Sequence, residues 1–283
     1  MRPIPLTVLA LALALHALPA PAQADGPAGG MADDGRTLPL WEAGLAAFGV
    51  QGPAFPGAAQ RTRNGLVVPY LLYRGRVLRA DRDTVGLRAA RTERLELDLG
   101  FAGSFGSAAS DTDARRGMPA IGTLVEFGPR LRWRIGPAFG GRLVATLPLR
   151  GVFDLSDGFG HRGLALEPAL GWSTRAAGVN LGASVGLLIA DRRLADTFYG
   201  VSPAFATPAR PAYGARAGLV ATRLSFSASR PLVRDWVVFG FARVDSVSRA
   251  ANRTSPLVDT PGGTAVGLGV AWTFSRSDRP AER

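Results

Sequence analysis

Cysteine is absent from all 283 residues, so neither disulfides nor thiolate metal sites hold this chain together. Lysine is absent too, and the formal charge of +11 rests on arginine. The only histidines are His16 and His161, too few for a multi-histidine zinc site. Past the N-terminus no apolar run approaches the roughly 20 residues of a spanning helix. A helical membrane protein is therefore disfavoured, although 47% of the residues are hydrophobic. No Walker or dinucleotide glycine pattern sits between a strand and a helix, so the many glycines do not read as phosphate loops. They suit turns and crowded barrel interiors.

What is present begins with MRPIPLTVLALALALHALPAPAQADG: Arg2, an apolar stretch from Leu6 to about Leu18, and Ala22-Gln23-Ala24 before Asp25. This is the layout of a secretory signal peptide over residues 1–24, with a short membrane anchor as the alternative. No cysteine follows the apolar stretch, which excludes a lipoprotein anchor. A flexible, low-complexity periplasmic lead is expected over 25–38, a barrel over 39–274 and a polar tail over 275–283. In an exported chain the dispersed arginines point away from nucleic acid and toward anionic surfaces such as lipopolysaccharide phosphates or peptidoglycan carboxylates.

The mature chain alternates in polarity over segments of about ten residues, as tilted spanning strands do. In LVEFGPRLRWRIG (124–136), Glu126, Arg130, Arg132 and Arg134 share one parity, and Val125, Phe127, Leu131, Trp133 and Ile135 the other. Leu95, Leu97, Leu99, Phe101 and Phe105 oppose Arg94, Glu96 and Asp98. Leu143, Ala145, Leu147, Leu149 and Phe153 oppose Arg142, Thr146 and Arg150. Leu164, Leu166, Leu170 and Trp172 face away from Glu167 and Ser173. Val179, Leu181, Ala183, Val185, Leu187 and Ile189 oppose Asn180, Gly182, Ser184 and Gly186. Val237, Phe239 and Phe241 oppose Gly240 and Ala242, and Thr264, Val266, Leu268, Val270, Trp272 and Phe274 oppose Ala265, Gly267, Gly269 and Ala271.

A soluble sandwich would allow the same alternation. Three features place lipid outside instead: the segment length, the small and charged residues of the opposite parity, and aromatics near segment ends. The last are Trp41, Tyr70, Tyr73, Trp133, Trp172, Trp236 and Trp272, where interfacial girdles form. On this reading Leu, Val and Phe point into acyl chains. The expected fold is all-β: a transmembrane antiparallel up-and-down β-barrel of about 12 strands, with 10 as the alternative because Trp41 to Arg94 is ambiguous. Stretches 106–122, 155–163, 191–214 and 249–263 read as long loops at one end. Arg175 to Gly178 and Arg230 to Arg234 read as tight turns at the other.

The sequence nominates no catalytic, cofactor-binding or metal-ligating residue. His161 lies near Ser156 and Asp157, the inventory of a hydrolase triad, but reads as a solvated loop histidine. Asp111 and Asp113 beside Arg115 and Arg116 could bind calcium or a partner, and read instead as a self-neutralising solvated loop. Asn252-Arg253-Thr254 matches the glycosylation triplet, a frequent chance match. The lumen set Glu126, Arg130, Arg132, Arg134, Arg142, Arg150 and Glu167 is read as cross-strand pairs filling the interior, with an anion-favouring pore as the alternative.

The phrases LWEAGLAAFG, GPAFPGAAQ, VVPYLLYRGRVLRADRD, DARRGMPAIGTLVEFGPRL, DTFYGVSP followed by PAYGARAGL, and NRTSPLV leading to GLGVAWTF run in this order over nearly all the mature chain. Together they resemble the MipA/OmpV family of outer-membrane proteins. The matched positions are Tyr73-Arg74-Gly75, Arg116-Gly117-Met118, Glu126-Phe127-Gly128-Pro129, Tyr199-Gly200 and Ser255-Pro256-Leu257. The resemblance implies a Gram-negative outer-membrane barrel. It also implies a non-enzymatic scaffold for murein (peptidoglycan) synthesis that binds a lytic transglycosylase and a penicillin-binding synthase. It implies no cofactor and no catalytic residue. Roles within the family vary and include adhesion and envelope stress. One departure is the polar SRSDRPAER after Trp272-Thr273-Phe274, where outer-membrane strands commonly end on an aromatic. The insertion signal is then internal, or the start-to-end register differs. A porin-like channel for small polar or anionic solutes is the alternative function, and an outer-membrane hydrolase ranks below it.

Overall fold

The structure, a computed structural model, describes residues 39–74, 78–80, 85–104, 112–233 and 235–281. The signal segment, the N-terminal lead, Phe105 and Asp111 lie outside them. The strands are β1 (Trp41–Pro53), β2 (Arg61–Arg74), β3 (Leu78–Ala80), β4 (Val85–Arg91), β5 (Leu95–Ser104), β6 (Leu124–Ala138), β7 (Gly141–Asp154), β8 (Gly160–Leu166), β9 (Ala169–Ala176), β10 (Val179–Ala190), β11 (Gly218–Val233), β12 (Trp236–Ser246) and β13 (Gly262–Arg276). One helix, α1 (Arg192–Tyr199), lies between β10 and β11. It is far too short to cross a bilayer, and no described helix is long and apolar enough to do so.

Pairing is antiparallel throughout, and β1 pairs with both β2 and β13, so the ladder runs around the molecule and closes. Among the described residues thirteen strands fill twelve wall positions, because β8 and β9 lie end to end between β7 and β10. Closure satisfies the backbone polar groups without leaving an edge.

The two ends of the wall differ. At one, β6 joins β7 and β9 joins β10 through two-residue turns whose central residues, Phe139, Gly140, Ala177 and Gly178, all have positive φ (50°, 69°, 49° and 76°). Such turns match the twist of paired strands. Pairing carries β9 through Ala176 and β11 through Val233. Arg175 and Arg230 to Val233 are therefore strand, and the turns are shorter than the sequence suggests. The first and last described segments meet here: the Ser277 amide donates to the Trp41 carbonyl (2.9 Å) and the Leu40 amide to that of Arg279 (2.7 Å). The opposite end carries the long connections 54–60, 155–159, 191–217 and 247–261.

The outer face exposes Leu95, Leu97, Leu99, Phe127, Leu131, Leu147, Leu149, Leu170, Val185, Leu224, Phe226 and Leu268, among others. A contiguous apolar surface of this extent is untenable in water and is what a bilayer requires. All five tryptophans, Trp41, Trp133, Trp172, Trp236 and Trp272, fall in the half of the wall near the tight turns. Trp236 and Trp272 stack at 5.8 Å, and the Trp172 indole donates to the Ala138 carbonyl (3.0 Å), as an interfacial girdle demands.

Parity in β5, β6, β7, β9, β10 and β13 follows the alternation: leucines outward, charged and small residues inward. Two expectations are corrected. Tyr70 is not a girdle residue; it is buried inside, its hydroxyl 2.5 Å from Thr273 Oγ1. Phe239 and Phe241 point into the lumen while Gly240 and Ala242 face outward. The cause lies on the neighbouring strand. β13 presents Gly269 and Gly267 inward opposite these phenylalanines, and a Cβ there would come within 2.5 Å of the Phe239 ring and 2.3 Å of the Phe241 ring. The rings occupy the room the glycines leave. With Ala46, Phe48, Val68 and Leu72 they make one sector of the lumen apolar.

Candidate functional site

The long loops do not splay into solvent; they fold over the barrel mouth and share a core. Phe55 and Ala58 come from the first loop, Met118 and Ile121 from the segment before β6, Leu194, Ala195 and Tyr199 from α1, and Val247, Ala250 and Leu257 from the last loop. Helix α1 begins where the Asp191 carboxylate accepts from the Leu194 amide (2.8 Å), an N-cap. Its C-terminal carbonyls, of Thr197 and Phe198, accept from Arg115 Nη1 (3.4 and 3.2 Å), whose Nη2 donates to the Pro119 carbonyl (3.1 Å). Arg115 also lies over the Phe55 ring at 5.8 Å. Burial and the neighbouring Arg210 charge push its pKa down to about 10. A residue that reads as solvated is thus a buried clamp on a helix C-terminus.

Tyr199 joins three loops. Its hydroxyl donates to the Pro56 carbonyl (3.0 Å), its own carbonyl accepts from the Ser255 hydroxyl (2.8 Å), and its ring meets Phe55 edge-on at 6.5 Å. Burial, then the Asp245 charge, raises its pKa above the ordinary tyrosine value. Asn252, of the glycosylation triplet, is 1% exposed; its amide donates to the Arg216 carbonyl (2.8 Å) and accepts from the Arg216 amide (2.9 Å). No glycan fits there. Asp113 pairs with Arg116 at the exposed rim. Met118, Tyr199, Ser255 and Leu257, all within the family-like motifs, meet in this plug.

Beneath the plug a belt of ion pairs crosses the lumen. Arg150 donates to Glu126 (3.2 Å) and Glu167 (3.1 Å); Arg223 reaches Glu167 (3.3 Å) and Asp245 (2.9 Å); Arg243 lies 3.2 Å from Asp245. Nearer the turns, Arg130 grips Asp98 through two bonds of 2.9 Å, both side chains at most 1% exposed, and Arg134 pairs with Glu96. Of the lumen set, Glu126, Arg130, Arg134, Arg150 and Glu167 are therefore joined to opposite charges. Arg132 faces Thr146 and Glu96 in register, while Arg142 is exposed at the turn end. Arg223, Arg243 and Asp245 complete the belt and escape a reading of the sequence, because β11 follows Arg223 with Ser225, Ser227 and Ser229 on the same parity and the phenylalanines mask the parity of β12.

Between plug and belt lies a cavity of about 160 Å3. Its floor is Glu126, Arg150, Glu167, Arg223, Arg243 and Asp245; Phe55, Ile121, Leu124, Leu194 and Phe198 roof it. His161 is remote from it, on the outer parity beside Phe153 (5.2 Å), with Arg193 Nη1 3.5 Å from its Nδ1. A triad would place a carboxylate where this cation stands. Asp157 instead takes Arg162 (2.9 Å), and Ser156 Oγ accepts from the Thr123 amide (3.2 Å). Among the described residues no group of three or more His, Cys, Asp or Glu side chains is placed to hold a metal ion.

A closed antiparallel wall with a lipid-facing exterior, a girdle and a loop-sealed mouth defines an outer-membrane β-barrel. The chain belongs to the family described as MltA-interacting protein MipA, whose model matches residues 44–274, and it resides in the outer membrane. No curated protein matches it. Solved structures similar to it include the NanC porin, at 10% identity over 82% of this chain and 98% of that chain, with a TM-score of 0.36. An outer membrane channel from Pseudomonas putida F1 shows 11% identity over 84% and 97%, with a TM-score of 0.37. A FadL homologue from Pseudomonas aeruginosa shows 11% identity over 94% and 97%, with a TM-score of 0.32.

Proposed function

We infer that this barrel is a non-enzymatic scaffold for murein synthesis, bringing a lytic transglycosylase and a penicillin-binding synthase together at the inner side of the outer membrane. The family's description as MltA-interacting supports the first partner. One structural observation carries the reading: the charges of the belt are paired with each other and the loops are fastened to themselves, so the chemistry left for a partner is on the outside. Arg94, Arg142, Arg175 and Arg230 are exposed at the turn end, the end that faces the periplasm in barrels of this type. Residues 1–24 are a signal peptide on this reading, and 25–38 a periplasmic lead.

The test is co-purification from detergent extracts after mild crosslinking. Recovery of a transglycosylase or synthase, lost when Arg94, Arg142, Arg175 and Arg230 are replaced together by glutamine, is the expected result. Repeated failure to recover either enzyme, combined with large, steady, anion-selective conductance steps in a planar bilayer, would replace the scaffold with a pore.

A further inference from the structure

His161 belongs to neither plug nor belt. On the outer parity of β8 it lies beside Phe153 of β7 at 5.2 Å, and Phe153 stacks on Phe127 of β6 at 4.9 Å, the two rings 10° from parallel. Three rings on three successive strands therefore form a shelf on the outer wall, just below the loops. Gly151 lets the shelf lie flat, since a Cβ there would come within 2.9 Å of the Phe153 ring. Leu149 and Leu164, both exposed, continue the apolar surface toward the middle of the bilayer.

Cations stand over the edge of this shelf. Arg193, in the first turn of α1, holds its Nη1 3.5 Å from His161 Nδ1. With Nδ1 accepting, the imidazole hydrogen sits on Nε2, ready to donate to another group. Arg192 precedes Arg193 on the helix and is exposed. Among the described residues neither arginine pairs with a carboxylate, because the acids nearby serve other groups. Asp154 and Asp157 hold Arg162, Asp191 accepts from the Leu194 amide, and Asp196 from the Ala215 amide. Two cations in a first helical turn also oppose the helix dipole, which favours an anion at that end. An anion seated between α1 and the shelf would meet guanidiniums, imidazole N–H and dipole together.

We propose that this place binds a lipopolysaccharide of the outer leaflet, with a phosphate held by Arg193, His161 and Arg192 and an acyl chain laid along Phe153 and Phe127. The long loops mark the outward side of a barrel of this type, so the shelf faces the leaflet in which that lipid stands. Guanidinium forks and an N–H donor suit phosphate oxygens. The shelf distinguishes a lipid-borne phosphate from a free one, which would gain nothing from burying the rings.

The full chain, purified in detergent and freed of lipid, is titrated with bisphosphorylated lipid A, with the same lipid stripped of its phosphates, and with inorganic phosphate; bound lipid is counted by native mass spectrometry. Bisphosphorylated lipid A is expected to bind the unaltered protein about tenfold more tightly than the Arg192→Gln/Arg193→Gln variant, equivalent to about 1.4 kcal/mol. Arg253→Gln, which removes an exposed charge from the loop between β12 and β13, is expected to leave the affinity unchanged. Each variant is checked for folding by heat-modifiable migration. Equal affinity in the folded double variant, or an equal loss in Arg253→Gln, would reduce the effect to net charge and overturn the site. Equally tight binding of the phosphate-free lipid would leave apolar contact alone, and displacement of lipid A by inorganic phosphate would make this a soluble-anion site; either result overturns the proposal. The scaffold reading survives each of these failures, because its partners meet the opposite end of the barrel.

Discussion

The charged and the apolar sectors of the lumen solve one problem by opposite means. Around β5, β6 and β7 the interior is filled by arginines with their acids, fully removed from solvent at Arg130 and Asp98. Around β1, β2, β12 and β13 it is filled by Phe48, Val68, Tyr70, Leu72 and Phe239, seated against Gly267, Gly269 and Ala271. Both sectors close the lumen, but they fail differently. A buried ion pair is costly to break and cheap to replace whole, since removing one partner strands a charge in low dielectric. An apolar sector has no such cliff and answers to volume.

The largest effect separating the two is expected from Asp98→Ala, which leaves the Arg130 guanidinium buried without its bidentate partner. Loss of about 3–5 kcal/mol should appear as a fall in the urea midpoint of the refolded barrel. Next comes Gly269→Val in the apolar sector, whose side chain would meet the Phe239 ring at 2.5 Å and the Ala47 carbonyl at 2.8 Å. Overpacking of that kind costs about 1–3 kcal/mol, measured the same way. Tyr199→Phe, in the plug, removes only the bond to the Pro56 carbonyl and should cost about 1 kcal/mol. Protease sensitivity of the last loop should rise before any change in the wall. The smallest effect is the sharpest. Asp98→Leu combined with Arg130→Met should return stability to within about 1 kcal/mol of the original, because an apolar pair of similar volume replaces the ionic one. If the double variant is as unstable as Asp98→Ala, the charged sector is more than filling.

How much of this was legible depends on contrast along the strand. In β6, Arg130, Arg132 and Arg134 against Leu131, Trp133 and Ile135 leave one assignment of inside and outside, and the structure adopts it. In β12 one parity mixes Val237, Phe239 and Phe241 with Arg243 and Asp245, so the phenylalanines looked lipid-facing until the glycines of β13 were set beside them. The plug was not legible at all. Tyr199 bonds to a carbonyl 143 positions away, and nothing local announces that Arg115 will be buried against the end of a helix from another loop.

The sequence by itself determined the period-two polarity, the spanning length of the segments and hence a lipid-facing barrel, because side chains on a strand must alternate between two solvents. It also determined that arginine would meet acid inside. Tertiary structure alone decided which apolar residues turn inward and how four distant loops seal one mouth. Those outcomes rest on space left or taken by residues far away in the chain, and a one-dimensional pattern carries no record of that space.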